Sequence, residues 1–192
     1  MKNIFLSFLL LLLSVTGSAT HVAGGNFEIN YIAPNQYQIV VYLWRSCEAN
    51  ASPMPTSITI GIYQQGTNNQ VMTQTLSSPV ISTNLPFGDI CFTPTNLCVD
   101  QGIFTSGTIS LPDYPQGYFL HTQYYARNNT IDNLSNPGGT NMSLYAEIPD
   151  PALGQNSSPH FGPYPLDAYF CTGSTKNFNF GVTDPDGDSL SY

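Results

Sequence analysis

From Asn26 onward, apolar and polar side chains alternate in short stretches, and no part of the chain after the leader carries a sustained helical stripe. Asn26 to Ile32 and Tyr37 to Arg45 follow a period of two around Ala33-Pro34-Asn35-Gln36, which predicts a β-hairpin. Ser57 to Tyr63 and Val71 to Leu76 predict a second hairpin around Gly66-Thr67-Asn68-Asn69, where Gly and Asn tolerate positive φ. Ile103 to Leu111 and Tyr118 to Tyr125 flank the turn signal Pro112 to Gly117. Met142 to Ile148 follows the polar loop Asn128 to Thr140, with its Pro137-Gly138-Gly139 breaker. Pro79 to Pro94, punctuated by Pro86 and Gly88, reads as a long loop or edge segment. Seven strands between residues 26 and 148 predict an all-β fold, an Ig-like β-sandwich of two sheets rather than a barrel or an α/β domain.

The texture changes at Pro149. Five prolines crowd into 149–165 around Gln155-Asn156-Ser157-Ser158, the composition of a linker. Tyr169 to Cys171 and Asn177 to Val182 then read as opening strands of a second, cadherin-like or Ig-like β-domain, and two strands have no sheet of their own to join. At the other end, Lys2, the apolar run Ile4 to Val15 and the small residues Gly17-Ser18-Ala19 form a secretory signal with its cleavage site, too short to span a bilayer. The expected organisation is therefore a signal peptide at 1–19, a sandwich at 20–150, a Pro-rich linker at 151–168 and the start of an incomplete second domain at 169–192. The chain is expected to be secreted or on the cell surface, to meet membrane only through the export machinery, and to continue into a longer protein.

Charge narrows the partners. The 192 residues hold 4 basic and 12 acidic side chains, and Arg45, Arg127 and Lys176 are the only cations after the leader, so nucleic acid and anionic lipid would be repelled. An extracellular protein or a glycan is the remaining kind of ligand. The four cysteines, Cys47, Cys91, Cys98 and Cys171, are expected as disulfides in an exported chain, with three connectivities open. Cys91 and Cys98 enclose a short loop and are expected as a local pair. Cys47 and Cys171 then remain to pair with each other, to stay free or to meet a partner beyond Tyr192. Five N-x-[S/T] sequons, at Asn50, Asn128, Asn133, Asn141 and Asn156, are acceptors only in a eukaryotic secretory pathway.

One stretch carries candidate metal chemistry. In "DPDGDSL" the carboxylates of Asp184, Asp186 and Asp188 alternate around Gly187, which lets the backbone bend and the oxygens converge as calcium ligands. The same residues are also those of a solvated turn. An EF-hand does not fit, because Ser189 stands where its glycine belongs and the bidentate glutamate falls beyond the chain. Glu147 or Asp150, near the expected domain junction, could complete a calcium shell that stiffens the linker. Aspartates two residues apart in one turn cannot flank a glycosidic bond, and no nucleophile elbow, zinc-binding helix or phosphate loop occurs, so no enzyme is expected. Tyr118, Phe119, Tyr124 and Tyr125 could line a glycan or protein face, although alternation must turn one set inward; Trp44 is expected in the core.

Taken in order, "HVAGGNFEINYI", "YQIVVYLWRSC", "CVDQGIFTSGTISLP", "GYFLHTQYYARNNTIDNL", "YAEIPDP", "NSSPHF" and "DPDGDSLSY" resemble the N-terminal region of large Bacteroidota surface proteins that carry gliding-motility-associated, PKD or type IX sorting domains. The resemblance covers nearly all of the chain after the leader. It implies a long, modular, exported protein of β-sandwich repeats that acts as an adhesin or surface filament. Cys47, Cys91, Cys98 and Cys171 match that family's cysteines, and Arg127-Asn128-Asn129 matches its polar strand end; Tyr125-Ala126 stands where relatives place a double cysteine. The expected function is a non-catalytic, adhesin-like extracellular module, possible calcium stiffening included. The alternative is a carbohydrate-binding module of a secreted hydrolase.

Overall fold

The computed structural model describes residues 22–47, 51–86, 91–92, 97–125, 127–128, 131–162, 171–177 and 181–191. The segment expected as a signal peptide and part of the stretch expected to open a second domain, including Tyr169, lie outside the described residues. Alternation sets the strands: β1 (Val22–Ala33), β2 (Gln36–Ser46), β3 (Ser57–Gln64), β4 (Gln70–Ser77), β5 (Val80–Ser82), β6 (Val99–Ser110), β7 (Tyr118–Tyr124) and β8 (Met142–Ile148). Every expected strand up to residue 148 is present. The addition is β5, three residues paired with β6 through Val80 to Ile103, Ile81 to Gly102 and Ser82 to Gln101. So short a run carries no readable period.

The strands form two antiparallel four-stranded sheets, ordered β1-β2-β6-β5 and β4-β3-β7-β8. With the strands lettered A, B, C, C′, D, E, F and G, these are the A-B-E-D and C′-C-F-G sheets of an immunoglobulin sandwich. The inner faces supply one core. Tyr37, Ile39, Val41 and Leu43 of β2 meet Ile58, Ile60 and Ile62 of β3 and Leu120 of β7, all buried. The tyrosine corner of that fold is present as well. Tyr118, the first residue of β7, donates its hydroxyl to the Pro112 carbonyl at 2.8 Å, across the turn between β6 and β7. Gly117, at φ 72°, is required beside it, since a Cβ there would lie 2.3 Å from the Ile148 carbonyl oxygen.

The disulfides differ from the expected local pair: Cys47 bonds to Cys98, and Cys91 to Cys171. The reason is strand register. Ser46 faces Val99 at the end of the β2–β6 ladder, so the next residue on each strand brings Cys47 opposite Cys98, with Cα atoms 5.1 Å apart and the Cys47 N–H donating to the Cys98 carbonyl at 3.0 Å. A long-range pairing thus takes the cysteine that loop length assigned to Cys91. Cys91, in the β5–β6 connection, is left for Cys171. Neither bond joins the two sheets at the B and F positions usual in antibody domains.

Two outcomes follow. Non-reducing peptide mapping is expected to recover the 47–98 and 91–171 linkages, and a 91–98 peptide would contradict the register. Tyr118→Phe leaves the Pro112 carbonyl without its donor, and is expected to lower unfolding stability by about 1–2 kcal/mol in denaturant titration.

Candidate functional site

The acidic loop is placed against the edge of the first sheet. Among the described residues β1 has no strand on its outer side, and two of its amides are taken by serines: Ile29 N–H donates to Ser158 Oγ at 2.8 Å and Tyr31 N–H to Ser157 Oγ at 3.1 Å. Ser158 N–H in turn donates to the Ile29 carbonyl at 2.8 Å. His160 continues the strap, with Nε2 3.1 Å from Asn30 Oδ1 and a two-way backbone pairing with Thr183. The Gln155-Asn156-Ser157-Ser158 stretch, expected inside a linker, is therefore docked along the sandwich. Small hydroxyl side chains suit this work, because they can reach edge amides that an apolar side chain would leave unpaired.

Asp186 clamps the strap from outside. Its Oδ1 accepts from Gln155 Nε2 at 2.7 Å and its Oδ2 from the Ser157 N–H. The Ser157 amide, followed by the Gln155 amide, holds the Asp186 carboxyl below its ordinary range. Asp184 turns inward on its own loop, its Oδ1 accepting from the amides of Asp186 at 2.9 Å and Asp188 at 3.1 Å, with Gly187 at φ 84° between them. Two of the three carboxylates expected as calcium ligands, those of Asp184 and Asp186, thus accept from backbone and amide donors.

The other proposed ligands point elsewhere. Glu147 Oε1 accepts from the Tyr145 hydroxyl at 2.6 Å, and Asp150 Oδ1 accepts from Ala152 N at 3.0 Å and Tyr114 N at 3.2 Å. Among the described residues, the one group of three potential metal ligands with atoms within 4.8 Å of each other is Cys47, Cys98 and Asp100. Its two sulfurs are bonded to each other, which leaves no thiolate for a metal. Asp184, Asp186 and Asp188 do not form such a group among the described residues, and Asp186 holds the turn against the strap.

The candidate aromatic face divides as alternation requires. Tyr118 is buried, Tyr124 faces the core and burial pushes its hydroxyl up to about 12, and Tyr125 is exposed beyond the end of β7. Trp44 is half-buried on the outer side of β2, stacked on Tyr42 with ring centroids 6.2 Å apart, rather than in the core. Phe119 alone of the four points outward from within a row. Its ring stacks on Tyr63 of β3 at 4.9 Å and 13°, and on Tyr145 of β8 at 5.5 Å and 28°.

This row crosses three strands on the outer face of the second sheet. Tyr63 and Phe119 are direct cross-strand partners, whereas Tyr145 lies opposite His121 and reaches Phe119 diagonally. Tyr63 leans back over Gly61, where a Cβ would fall 2.5 Å from its ring. A glycine inside a strand here marks a close approach by a ring. Tyr145 is 53% exposed yet held at both sides of its hydroxyl, receiving from Gln65 Nε2 at 3.0 Å while donating to Glu147. That bond to Glu147 also raises the Tyr145 hydroxyl above the ordinary tyrosine range.

No family model, curated protein or solved structure matches the chain. Function must therefore be argued from these two surfaces. The sequence contained a signal for the row in the outward position of Tyr63, Phe119 and Tyr145, each on a strand with period two, but which strands lie side by side is not written in that period.

Removing the latch tests its role. Asp186→Ala is expected to speed amide hydrogen exchange at Ile29 and Tyr31 by about tenfold or more, since those amides then lose a held partner. Acid does the same in the wild type. Because the folded carboxyl is depressed, the latch contributes fully above the unfolded value of 3.8 and is lost as pH falls through the lower folded value. Exchange at the two amides that is unchanged in the variant would show that the strap holds without Asp186.

Proposed function

We propose that the chain is a non-catalytic, adhesin-like module of a larger exported protein, and that it meets its ligand through the outer face of β3, β7 and β8. The observation that carries this reading is the row of Tyr63, Phe119 and Tyr145 rings. Rings stacked in solvent, with an exposed hydroxyl fixed from two sides, form a rigid amphipathic surface of the sort that anchors interfaces at little entropic cost. The sandwich behind them is a scaffold of fully buried aliphatic residues, so the rings are presented from regular strands rather than mobile loops.

The two disulfides suit an oxidising, extracellular setting. Among the described residues, no helix is long and apolar enough to cross a membrane. The resemblance in segment order to modular Bacteroidota surface proteins supports the same reading, and supplies the expectation of neighbouring domains and of a sorting signal.

The test uses the native protein. Antibodies against the chain are expected to label intact cells and to detect a polypeptide far larger than 192 residues. Antibody fragments that cover Tyr145 are expected to block attachment of those cells to a surface, while fragments against the exposed Val80 of β5 are not. Recovery in the cytosol with free thiols, or attachment indifferent to both fragments, would overturn the proposal.

A further inference from the structure

We propose that the Tyr63, Phe119 and Tyr145 row is a binding site for an uncharged polysaccharide. This rests on the interaction-module reading and names its ligand class. Three observations lead there. The first is electrical: the outward positions of β3, β4, β7 and β8 carry rings, hydroxyls, amides, the His121 imidazole, Gly61 and the exposed Val71, with Glu147 the single acid and no Lys or Arg. In a chain of net charge −8, this face has been kept nearly neutral. An anionic glycan finds no cation on it and a basic protein finds one carboxylate, so electrostatic complementarity selects a neutral ligand.

The second observation is width. The apolar part of the face is one ring wide and crosses three strands, flanked by Thr59, Thr75 and Gln123. A stable protein interface needs about 800 Å² on each partner around a continuous apolar centre. A single extended sugar chain needs only a strip. Its pyranose rings alternate apolar C–H faces with a rim of hydroxyls, and the strip offers aromatic surface with hydrogen-bonding groups alongside.

The third is preorganisation. Among the described residues β8 is the last strand of its sheet, and no strand lies beyond the Tyr145 face turned away from Phe119. Gln65 and Glu147 fix that ring before any ligand arrives, and both are amide or carboxylate groups of the kind that recognise sugar hydroxyls. At the other end, Gly61 leaves the space over which the Tyr63 ring lies. A sugar stacking on the open Tyr145 face therefore meets a platform whose rotamers are already set.

The full chain, with both disulfides formed, is run in affinity gel electrophoresis through mixed-linkage glucan, xyloglucan, mannan and galactan, with alginate and heparin as anionic gels. Retardation by at least one neutral polysaccharide is expected, unchanged between low and high salt. Tyr145→Ala and Phe119→Ala are expected to weaken it by roughly tenfold or more. Gly61→Ala, which removes no contact but displaces the Tyr63 ring, is expected to weaken it too. Val80→Ser, on the other sheet, leaves it unchanged, and melting curves confirm that each variant is folded.

Failure to be retarded by any neutral gel, retardation only in alginate or heparin, or retardation indifferent to Tyr145→Ala would each overturn the polysaccharide assignment. If instead immobilised fibronectin or collagen captures the chain in a Tyr145-dependent way and no glycan does, the assignment falls while the interaction module stands. If no probe is bound in a Tyr145-dependent way and the antibody fragments do not block attachment, both fall.

Discussion

The register of β2 on β6 is the constraint on which the rest of the structure depends. Arg45 faces Asp100 across that ladder on the inner side, and the two are bridged at 2.6 Å with the carboxylate almost fully buried. Arg45 also donates to the Ser52 carbonyl, and Asp100 accepts from the Asn84 amide at 3.0 Å, so the pair gathers two loops as well as two strands. A buried ion pair adds little over a well-packed apolar pair, but removing one partner strands a charge at a cost of about 3–5 kcal/mol. Its effect is therefore to penalise slipped registers. The Cys47–Cys98 bond, one step beyond, closes the same end covalently. With β2 and β6 fixed, Gly102 stands where Met54 can pack, Ile81 pairs opposite Gly102, and β5 has its place at the sheet edge.

Once the core is set, the sheet edges become the exposed liability. The molecule treats each one differently. β5 is kept to three residues, β4 carries threonine and glutamine outward, and β1, twelve residues long, is covered by the Ser157-Ser158 strap. Asp186 adds charge-assisted bonds to the strap. The acidic turn thus ties two pieces of backbone together. Among the described residues β8 has no such cover, and it is the strand that presents Tyr145.

What could be read beforehand divides along the range of the forces involved. Alternation is local, and the strands from β1 to β4 and from β6 to β8 were legible to within a few residues because an inward set such as Tyr37, Ile39, Val41 and Leu43 needs no partner to be recognised. The all-β sandwich follows from the number of such runs. Pairings are not local. The short spacing of Cys91 and Cys98 was a real signal, yet the β2–β6 ladder outweighs it by bringing Cys47 to Cys98. The same limit hid the aromatic row: Phe119 stood out among clustered aromatics, whereas Tyr63 and Tyr145, far away in sequence, are beside it only because β3 and β8 flank β7. Polar residues depend on the same long-range contacts. Asp184 and Asp186 were read as calcium ligands and the two serines as part of a linker, and in the structure each accepts from backbone amides of the chain itself.

That contrast separates the two surfaces. Along β1 the polar groups are mutually satisfied, and anything binding there must first displace hydrogen bonds already made. On the outer face of β7 the sequence does the opposite. Gly61 gives up a side chain, and with it strand propensity, to admit the Tyr63 ring, and Gln65 and Glu147 hold an exposed hydroxyl that water would satisfy equally well. Neither choice adds to the buried core, which is complete beneath the sheet at Ile60, Ile62 and Leu120. Local order that the fold does not require is a reason to look outside the fold for its use. The row of three rings on the outer face of the second sheet is such a case.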